Sequence, residues 1–96
     1  MSYKEKLKKV KGKKEVEIML FALSTCGWCK RTKDLLNSLG VEYNYVDVDL
    51  LDEKDKGEVE NILNKFNSNG FPTTIINNIT AIHGFDEDKI RKAIKK

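Results

Sequence analysis

The feature that most constrains the fold is a pair of cysteines, Cys26 and Cys29, placed at the boundary between two different sequence patterns. Residues 16–23 form a short apolar run whose length favours a buried strand over a helix. From Trp28 onward the pattern is helical, with leucines on one face and charged residues off it. The cysteine pair is therefore predicted to lie where a strand gives way to the N-terminus of a helix.

The start of a helix is a favourable place for a reactive cysteine. The thiolate is the reactive form, and the unpaired backbone N–H groups and the helix dipole favour an anion there. Cys26 lies at the mouth of the helix and is predicted to attack a substrate disulfide. Cys29 lies one turn inside and is predicted to resolve the mixed disulfide. The cations that follow are predicted to stabilise the thiolate: Lys30, Arg31 and Lys33.

Other uses of the cysteine pair fit the sequence less well. A disulfide between Cys26 and Cys29 closes a very small loop and removes little entropy from the unfolded chain. A structural zinc site takes four ligands, whereas the chain has two cysteines and one histidine, so we expect no metal. Two inert buried cysteines remain an alternative. Trp28 either covers the motif or offers a flat apolar face to a substrate, and His83 is interpreted as a structural residue at a strand end.

The middle of the chain continues the alternation of strand and helix. Residues 42–48 carry aromatic and β-branched residues in alternation and are predicted to form a second strand. Asp52 is predicted to cap a second amphipathic helix, and Asn69-Gly70 to end it. A strand, a helix and a second strand in this order predict a parallel pair with a right-handed crossover.

The last third of the chain predicts a hairpin and a helix. Residues 73–76 and 79–82 flank two asparagines that tolerate a left-handed backbone, and Asp86 is predicted to cap the final helix. The whole order, β-α-β-α-β-β-α, predicts an α/β fold with a four-stranded mixed sheet and three helices.

Residues 1–15 differ from the rest of the chain in charge. They hold seven lysines and two glutamates in a chain whose net charge is +3. A nucleic-acid surface normally lies on the folded domain with aromatic residues interleaved, so we expect no nucleic-acid binding. We predict a basic tail or a short extra helix, with Tyr3, Leu7 and Val10 on one face, followed by one domain over residues 16–96. No apolar run suits a membrane span or a secretory signal, so we expect a cytoplasmic protein.

Three short motifs together resemble those of the glutaredoxin family over residues 16–96. They are Cys26-Gly27-Trp28-Cys29, Gly70-Phe71-Pro72-Thr73 and Gly84-Phe85-Asp86. The resemblance implies a thioredoxin-like, three-layer α/β/α fold in which Pro72 follows a cis peptide bond and faces the dithiol. It also implies that the backbone of Phe71 pairs with an extended substrate segment. The substrate-binding residues that it implies are Trp28, Phe71, Pro72, Gly84, Phe85 and Asp86.

The resemblance also implies an activity, that of a thiol–disulfide oxidoreductase acting on protein or glutathione-mixed disulfides in electron transport and cell redox homeostasis. It implies a monomer without a tightly bound cofactor, which uses glutathione as a co-substrate or takes electrons from thioredoxin reductase. Leu23 stands where the family usually has a lysine for a glutathione carboxylate, and His83 stands where it favours glycine. We therefore expect glutathione to bind more weakly than in typical glutaredoxins.

Two groups within this family supply alternative functions. The Gly84-Phe85 pair also resembles glutaredoxin-like redoxins that thioredoxin reductase reduces and that donate hydrogen to ribonucleotide reductase. The other alternative is a carrier that holds an iron–sulfur cluster between two chains, with Cys26 and glutathione as ligands. Such carriers usually have a motif with a single cysteine, so Cys29 disfavours this alternative.

Overall fold

A computed structural model describes residues 3–68 and 70–94 of the chain. The predicted order of strands and helices after residue 15 is confirmed, and one further strand precedes it. The strands and helices are β1 (Lys8–Val10), β2 (Ile18–Ala22), α1 (Gly27–Ser38), β3 (Tyr43–Asp47), α2 (Glu53–Lys65), β4 (Thr73–Ile76), β5 (Thr80–His83) and α3 (Glu87–Ile94), with 3₁₀ turns at Tyr3–Lys6 and Val48–Leu50.

The strands form one mixed sheet in the order β1-β3-β2-β4-β5. β2 lies in the centre and pairs in parallel with β3 and antiparallel with β4, so that Leu20 is opposite Tyr45 on one side and Thr74 on the other. Helix α1 makes the crossover between the two parallel strands. This central position explains why β2 reads as a continuous apolar run, because a strand covered on both faces has no solvent side to make polar.

Helices cover both faces of the sheet, which confirms the three-layer arrangement. Leu20 and Ala22 of β2 point into a cluster with residues of α1 and α3, among them Leu36 and Ile90. Phe21, between them, points into the opposite cluster with residues of α2. The alternation of side chains along one strand thus supplies both halves of the core.

The expected four-stranded sheet is wrong, because the sheet has five strands. Residues 8–10, placed by the sequence in a basic tail or short helix, instead form β1 and pair antiparallel with β3, Val10 lying opposite Tyr43. The pairing gives partners to backbone groups that β3 would otherwise leave open at the edge of the sheet. A strand of three residues has too few positions to show a period of two, so the residue pattern did not indicate it.

The segment before β1 packs on the α2 side of the sheet. Tyr3 is buried, its ring centroid lies 5.8 Å from that of Phe21, and its N–H donates to a carboxylate oxygen of Glu58 at 3.0 Å. Burial, and then the charge of Glu58, raises the pKa of the Tyr3 hydroxyl. Lys6 pairs with the buried carboxylate of Asp55 at 3.4 Å. Residues 3–10 are therefore part of the packed fold.

The predicted helix starts and the hairpin are confirmed, with small shifts at their ends. Asp52 accepts the N–H of Asp55 at 2.9 Å, and Asp86 accepts the N–H of Lys89 at 3.1 Å. The hairpin asparagines have positive φ, but its second strand is Thr80–His83 rather than 79–82, because the turn also takes in the next residue.

Helix α2 ends short of its predicted stop. Its last residue is Lys65, and Asn67 has φ +57°, which terminates the helical path. Of the predicted stop at Asn69-Gly70, Asn69 lies outside the described residues. In the part of the chain that the structure describes, no helix has the length and apolar character needed to cross a membrane.

We predict that Tyr3→Ala lowers the free energy of unfolding by about 2–3 kcal/mol, because it removes a buried aromatic ring from the α2 side of the core. Urea-induced unfolding followed by circular dichroism measures the change. Ile79→Ala is the control, since Ile79 is 77% exposed in the hairpin turn and its loss should change stability by at most about 0.5 kcal/mol. Equal effects of the two substitutions would show that the N-terminal segment contributes nothing to the core.

Candidate active site

The two cysteines lie at the end of the central strand, where the chain turns into α1. Cys26 is the N-cap of the helix, with an extended backbone at φ −100° and ψ 121°, and its Sγ accepts the backbone N–H of Cys29 at 3.2 Å. Its side chain is partly exposed. The sulfur thus takes the place of a capping oxygen and accepts one of the N–H groups that a helix start leaves unpaired.

Cys29 has a different environment, one turn further along. It is 1% exposed and belongs to the core cluster that α1 and α3 share. Burial, followed by the hydrogen bond to Cys26, raises the pKa of the Cys29 thiol to about 12. The backbone N–H of Leu23, which donates to Cys29 Sγ at 3.4 Å, and the charge of Lys33 act in the opposite direction. The dithiol therefore combines one accessible sulfur with one that stays protonated at neutral pH.

The three cations predicted to stabilise the thiolate each contact another group. Lys30 pairs with Asp34 at 3.3 Å. The Arg31 guanidinium lies 4.9 Å from the centroid of the Trp28 ring. Lys33 pairs with Asp47 at 3.1 Å and lies over an aromatic ring of β3. The group in direct contact with Cys26 Sγ is a backbone N–H, so the role of the cations at Cys26 stays a prediction.

The predicted proline segment lies beside the dithiol. The Phe71–Pro72 bond is cis, which confirms that prediction. Pro72 is buried, and its carbonyl accepts the N–H of Gly84 at 2.8 Å, which ties the segment to the turn before α3. Phe71 is half-buried and packs, with Cys26, against the cluster that contains Cys29. The structure thus brings the first two motifs together although they are far apart along the chain.

The turn before α3 joins the same region through an aromatic contact. Gly84 has φ +74°, a backbone conformation that favours glycine, and Asp86 caps the helix. Phe85 stacks on Trp28, with ring centroids 5.9 Å apart and planes 26° apart, while Trp28 remains 56% exposed. An apolar surface therefore borders Cys26. His83 is exposed at the end of β5, where it lies opposite Thr73 in the sheet.

One residue of the site escaped the sequence reasoning. The carboxylate of Asp49 accepts two hydrogen bonds from Ser24, from its N–H at 2.8 Å and from its hydroxyl at 2.6 Å. These two bonds hold the pKa of Asp49 below its ordinary value. The order of strands could have indicated this contact. Ser24 follows β2 and Asp49 follows β3, and parallel neighbouring strands end at the same edge of a sheet.

A cavity of about 390 Å³ opens on the α2 side of this edge. Its apolar lining includes Leu23 and Phe71, and its polar lining includes Asp49 and Lys56. Leu23 also donates its backbone N–H to Cys29 Sγ, so one residue of the cavity lining contacts the dithiol. Among residues 3–68 and 70–94, no group of three or more His, Cys, Asp and Glu side chains has a geometry that fits a metal ion.

Comparison with known proteins identifies relatives of the whole fold. The family model described as Glutaredoxin matches residues 18–79, which include both cysteines and Pro72. A curated relative, an uncharacterized glutaredoxin-like 8.6 kDa protein in the rubredoxin operon of Clostridium pasteurianum, is 34% identical over 79 residues, which are 82% of this chain and 99% of that protein.

Two solved structures from methanogens are similar over most of their length. Methanoredoxin of Methanosarcina acetivorans is 48% identical, with a TM-score of 0.84 over 88% of this chain and 90% of its own. A glutaredoxin of Methanosarcina mazei Go1 is 44% identical, with a TM-score of 0.87 over 94% of this chain and 88% of its own. These similarities confirm the predicted fold class.

We predict that iodoacetamide at neutral pH modifies Cys26 much faster than Cys29 in the folded, reduced protein. Cys26 is partly exposed and its sulfur accepts a hydrogen bond, whereas Cys29 is buried and its pKa is raised to about 12. Peptide mapping by mass spectrometry after a short pulse measures both rates. In urea the two rates should become similar, since the difference comes from the fold. Faster labelling of Cys29 in the folded protein would contradict the assignment.

Proposed function

Because this chain belongs to the glutaredoxin family, we propose that it is a thiol–disulfide oxidoreductase that reduces protein or glutathione-mixed disulfides, with Cys26 as nucleophile and Cys29 as resolving thiol. The observation that carries the proposal is the asymmetry of the two thiols. Cys26 is accessible at a helix N-cap, whereas Cys29 is 1% exposed with a raised pKa. Two thiols in the same environment would not separate into a nucleophile and a resolving thiol.

In the first step the Cys26 thiolate attacks one sulfur of the substrate disulfide. A bond forms between Cys26 Sγ and that sulfur, the substrate S–S bond breaks, and the other substrate sulfur leaves as a thiolate. The N–H of Cys29 that donates to Cys26 Sγ stabilises the attacking anion. Protonated Cys29 adds a second donor, because its hydrogen bond to Cys26 favours its own neutral form.

In the second step Cys29 attacks Cys26 Sγ as a thiolate. The Cys26–Cys29 bond forms and the mixed disulfide breaks, so that the second substrate sulfur leaves. The substrate disulfide gains two electrons and the protein dithiol loses two. The first step has already converted the Cys26 sulfur into a disulfide, which removes the Cys26 contributions that raise the pKa of Cys29 in the reduced protein. The resolving thiol is therefore easier to ionise when it is needed.

A substrate segment is expected to lie along the edge that Trp28, Phe71 and the turn at Gly84 form around Cys26. Phe71 precedes the cis proline and is half-buried, and we propose that its backbone pairs with an extended segment of the substrate. The stacked rings of Trp28 and Phe85 offer apolar area to a substrate, and the cavity lined by Leu23 and Phe71 offers more. This arrangement suits a peptide better than a single small thiol.

The source of electrons decides between this function and the alternative of a redoxin that serves ribonucleotide reductase. A coupled assay distinguishes them. In one arm glutathione and its reductase regenerate the dithiol, and in the other thioredoxin reductase does so, each with a model protein disulfide as substrate. Turnover in the second arm alone would favour the redoxin alternative.

We predict that Cys29→Ser accumulates a mixed disulfide between Cys26 and its substrate, whereas Cys26→Ser does not reduce disulfides. The serine removes the sulfur that would break the mixed disulfide, and it leaves the attacking sulfur in place. Non-reducing gel electrophoresis and intact mass measure the trapped species. Reduction of a disulfide by Cys26→Ser at the rate of the unmodified protein would contradict the proposed mechanism.

We also predict that Leu23→Lys strengthens binding of S-methylglutathione, an analogue that cannot form a disulfide. Leu23 lines the cavity beside Phe71, so a lysine there adds a cation next to Lys56. A charge-assisted hydrogen bond to a glutathione carboxylate contributes roughly 1.5–3 kcal/mol, or about tenfold to over a hundredfold in affinity.

Isothermal titration calorimetry measures that affinity. Leu50→Lys is the matched control, because Leu50 is 68% exposed and outside the lining of the cavity. An unchanged affinity in Leu23→Lys would show that this position does not limit glutathione binding. An equal gain in both variants would attribute the effect to net charge alone.

A further inference from the structure

An exposed carboxylate in the turn after β3 holds the loop that leads to the dithiol. Asp49 lies in the 3₁₀ turn after β3, and Ser24 lies between the end of β2 and Cys26. Both oxygens of the carboxylate are engaged: Oδ1 accepts the Ser24 N–H at 2.8 Å and Oδ2 accepts the Ser24 hydroxyl at 2.6 Å. Two charge-assisted hydrogen bonds from one residue define its backbone orientation far better than one does.

Leu23, the residue before Ser24, provides a hydrogen-bond donor to the resolving thiol. The N–H of Leu23 donates to Cys29 Sγ at 3.4 Å, and this bond opposes the burial that raises the pKa of Cys29. Leu23 follows Ala22, the last residue of β2, which lies opposite Asp47 of β3, so the orientation of Leu23 depends both on the end of the sheet and on the loop that follows. The peptide unit that follows it carries the N–H of Ser24, which Asp49 holds.

We propose that Asp49 is a positioning residue for the second step of disulfide exchange, because its two hydrogen bonds to Ser24 orient the Leu23 N–H toward Cys29 Sγ. The inference rests on the proposed function, in which Cys29 attacks as a thiolate. It assigns to Asp49 a role in resolution, since the donor to Cys26 Sγ in the first attack is the N–H of Cys29 within α1. The peptide unit that Asp49 holds contacts Cys26 through the backbone and not through the sulfur, because the Cys26 N–H donates to the Leu23 carbonyl at 3.4 Å.

The surroundings of Cys29 explain why this one donor matters. The charged or titratable groups that act on its sulfur are Cys26 and Lys33. Once Cys26 is in the mixed disulfide it no longer bears a charge. Burial still raises the pKa of Cys29, and the Leu23 N–H and Lys33 are the groups that lower it. Lys33 already pairs with Asp47 at 3.1 Å. A misdirected Leu23 N–H therefore leaves the Cys29 anion without its direct donor.

The two steps can be observed separately with the aromatic disulfide 5,5′-dithiobis(2-nitrobenzoate) under single-turnover conditions. Attack by Cys26 releases one coloured thiolate, and resolution by Cys29 releases the second as the Cys26–Cys29 disulfide forms. Stopped-flow absorbance then gives a rate for each step over a range of pH.

In Asp49→Ala we expect the second release to slow about tenfold, the low end of the effect of losing a hydrogen bond to a charged group. The first release should stay within about twofold of the unmodified protein, and the pH midpoint of the second should rise because the thiolate has lost a donor. Asp49→Asn should restore most of the second rate, since its Oδ1 can accept the Ser24 N–H and its Nδ2 can donate to the Ser24 hydroxyl. Ser24→Ala, which keeps the N–H bond, should lie between them.

Glu17→Ala is the matched control. Glu17 is also an exposed carboxylate with a short hydrogen-bonded ion pair, to Lys14 at 2.7 Å, and with a lowered pKa, but it precedes the opposite end of β2. Both releases should be unchanged in this variant. If Asp49→Ala does not fold, the comparison of Ser24→Ala with Glu17→Ala decides the question.

The outcomes separate this inference from the proposed function. Two releases in the unmodified protein together with a normal second release in Asp49→Ala, or in Ser24→Ala if the former does not fold, would overturn the inference alone. Equal slowing of both releases would also overturn it, because Asp49 would then support the fold of the whole site. An Asp49→Asn variant as slow as Asp49→Ala would show that charge, and not the hydrogen bonds, is required. A single release in the unmodified protein would overturn the proposed function itself.

Discussion

The burial of one sulfur beside an accessible one is the constraint on which the site depends. Cys29 lies in the core cluster under α1, and Cys26 lies one helical turn earlier at the N-cap, where its sulfur accepts the N–H of Cys29. A spacing of three residues in a helix places the two sulfurs on the same side at different depths. Depth then gives the two sulfurs different environments, because burial raises the pKa of the Cys29 thiol while Cys26 stays partly exposed at the N-cap.

The rest of the fold keeps that helix start in place and surrounds it with loops. The central strand β2 ends at the dithiol, the cis-proline segment precedes β4, and the turn at Gly84 follows β5, so all three loops meet at one edge of the sheet. The Gly84–Pro72 hydrogen bond and the Trp28–Phe85 stack connect these loops to one another. The three loops form one surface because connections at the same edge of a sheet become neighbours.

Local patterns predicted most of this arrangement, and the failures have a common cause. The caps at Asp52 and Asp86 and the asparagine turn depend on contacts within a few residues, so their residue types indicate them directly. Strand β1 and the Ser24–Asp49 contact, which joins residues 25 positions apart, depend on which chain segments the sheet places side by side. The ion pair of Lys33 with Asp47 of the next strand is a contact of the same kind, because the position of Lys33 along the chain does not indicate it.

The sequence by itself determined the α/β class, the order of its strands and helices after residue 15, and the position of the Cys26–Cys29 pair where a strand gives way to a helix. These follow from hydrophobic periodicity, helix capping and the spacing of Cys26 and Cys29, all of which act over a single turn or strand. Only the tertiary structure decided that residues 3–10 complete the sheet and the core, and that Asp49 holds the loop before the dithiol. Those contacts join segments that are distant along the chain, and their hydrogen bonds and buried area exist only after the core has brought the segments together.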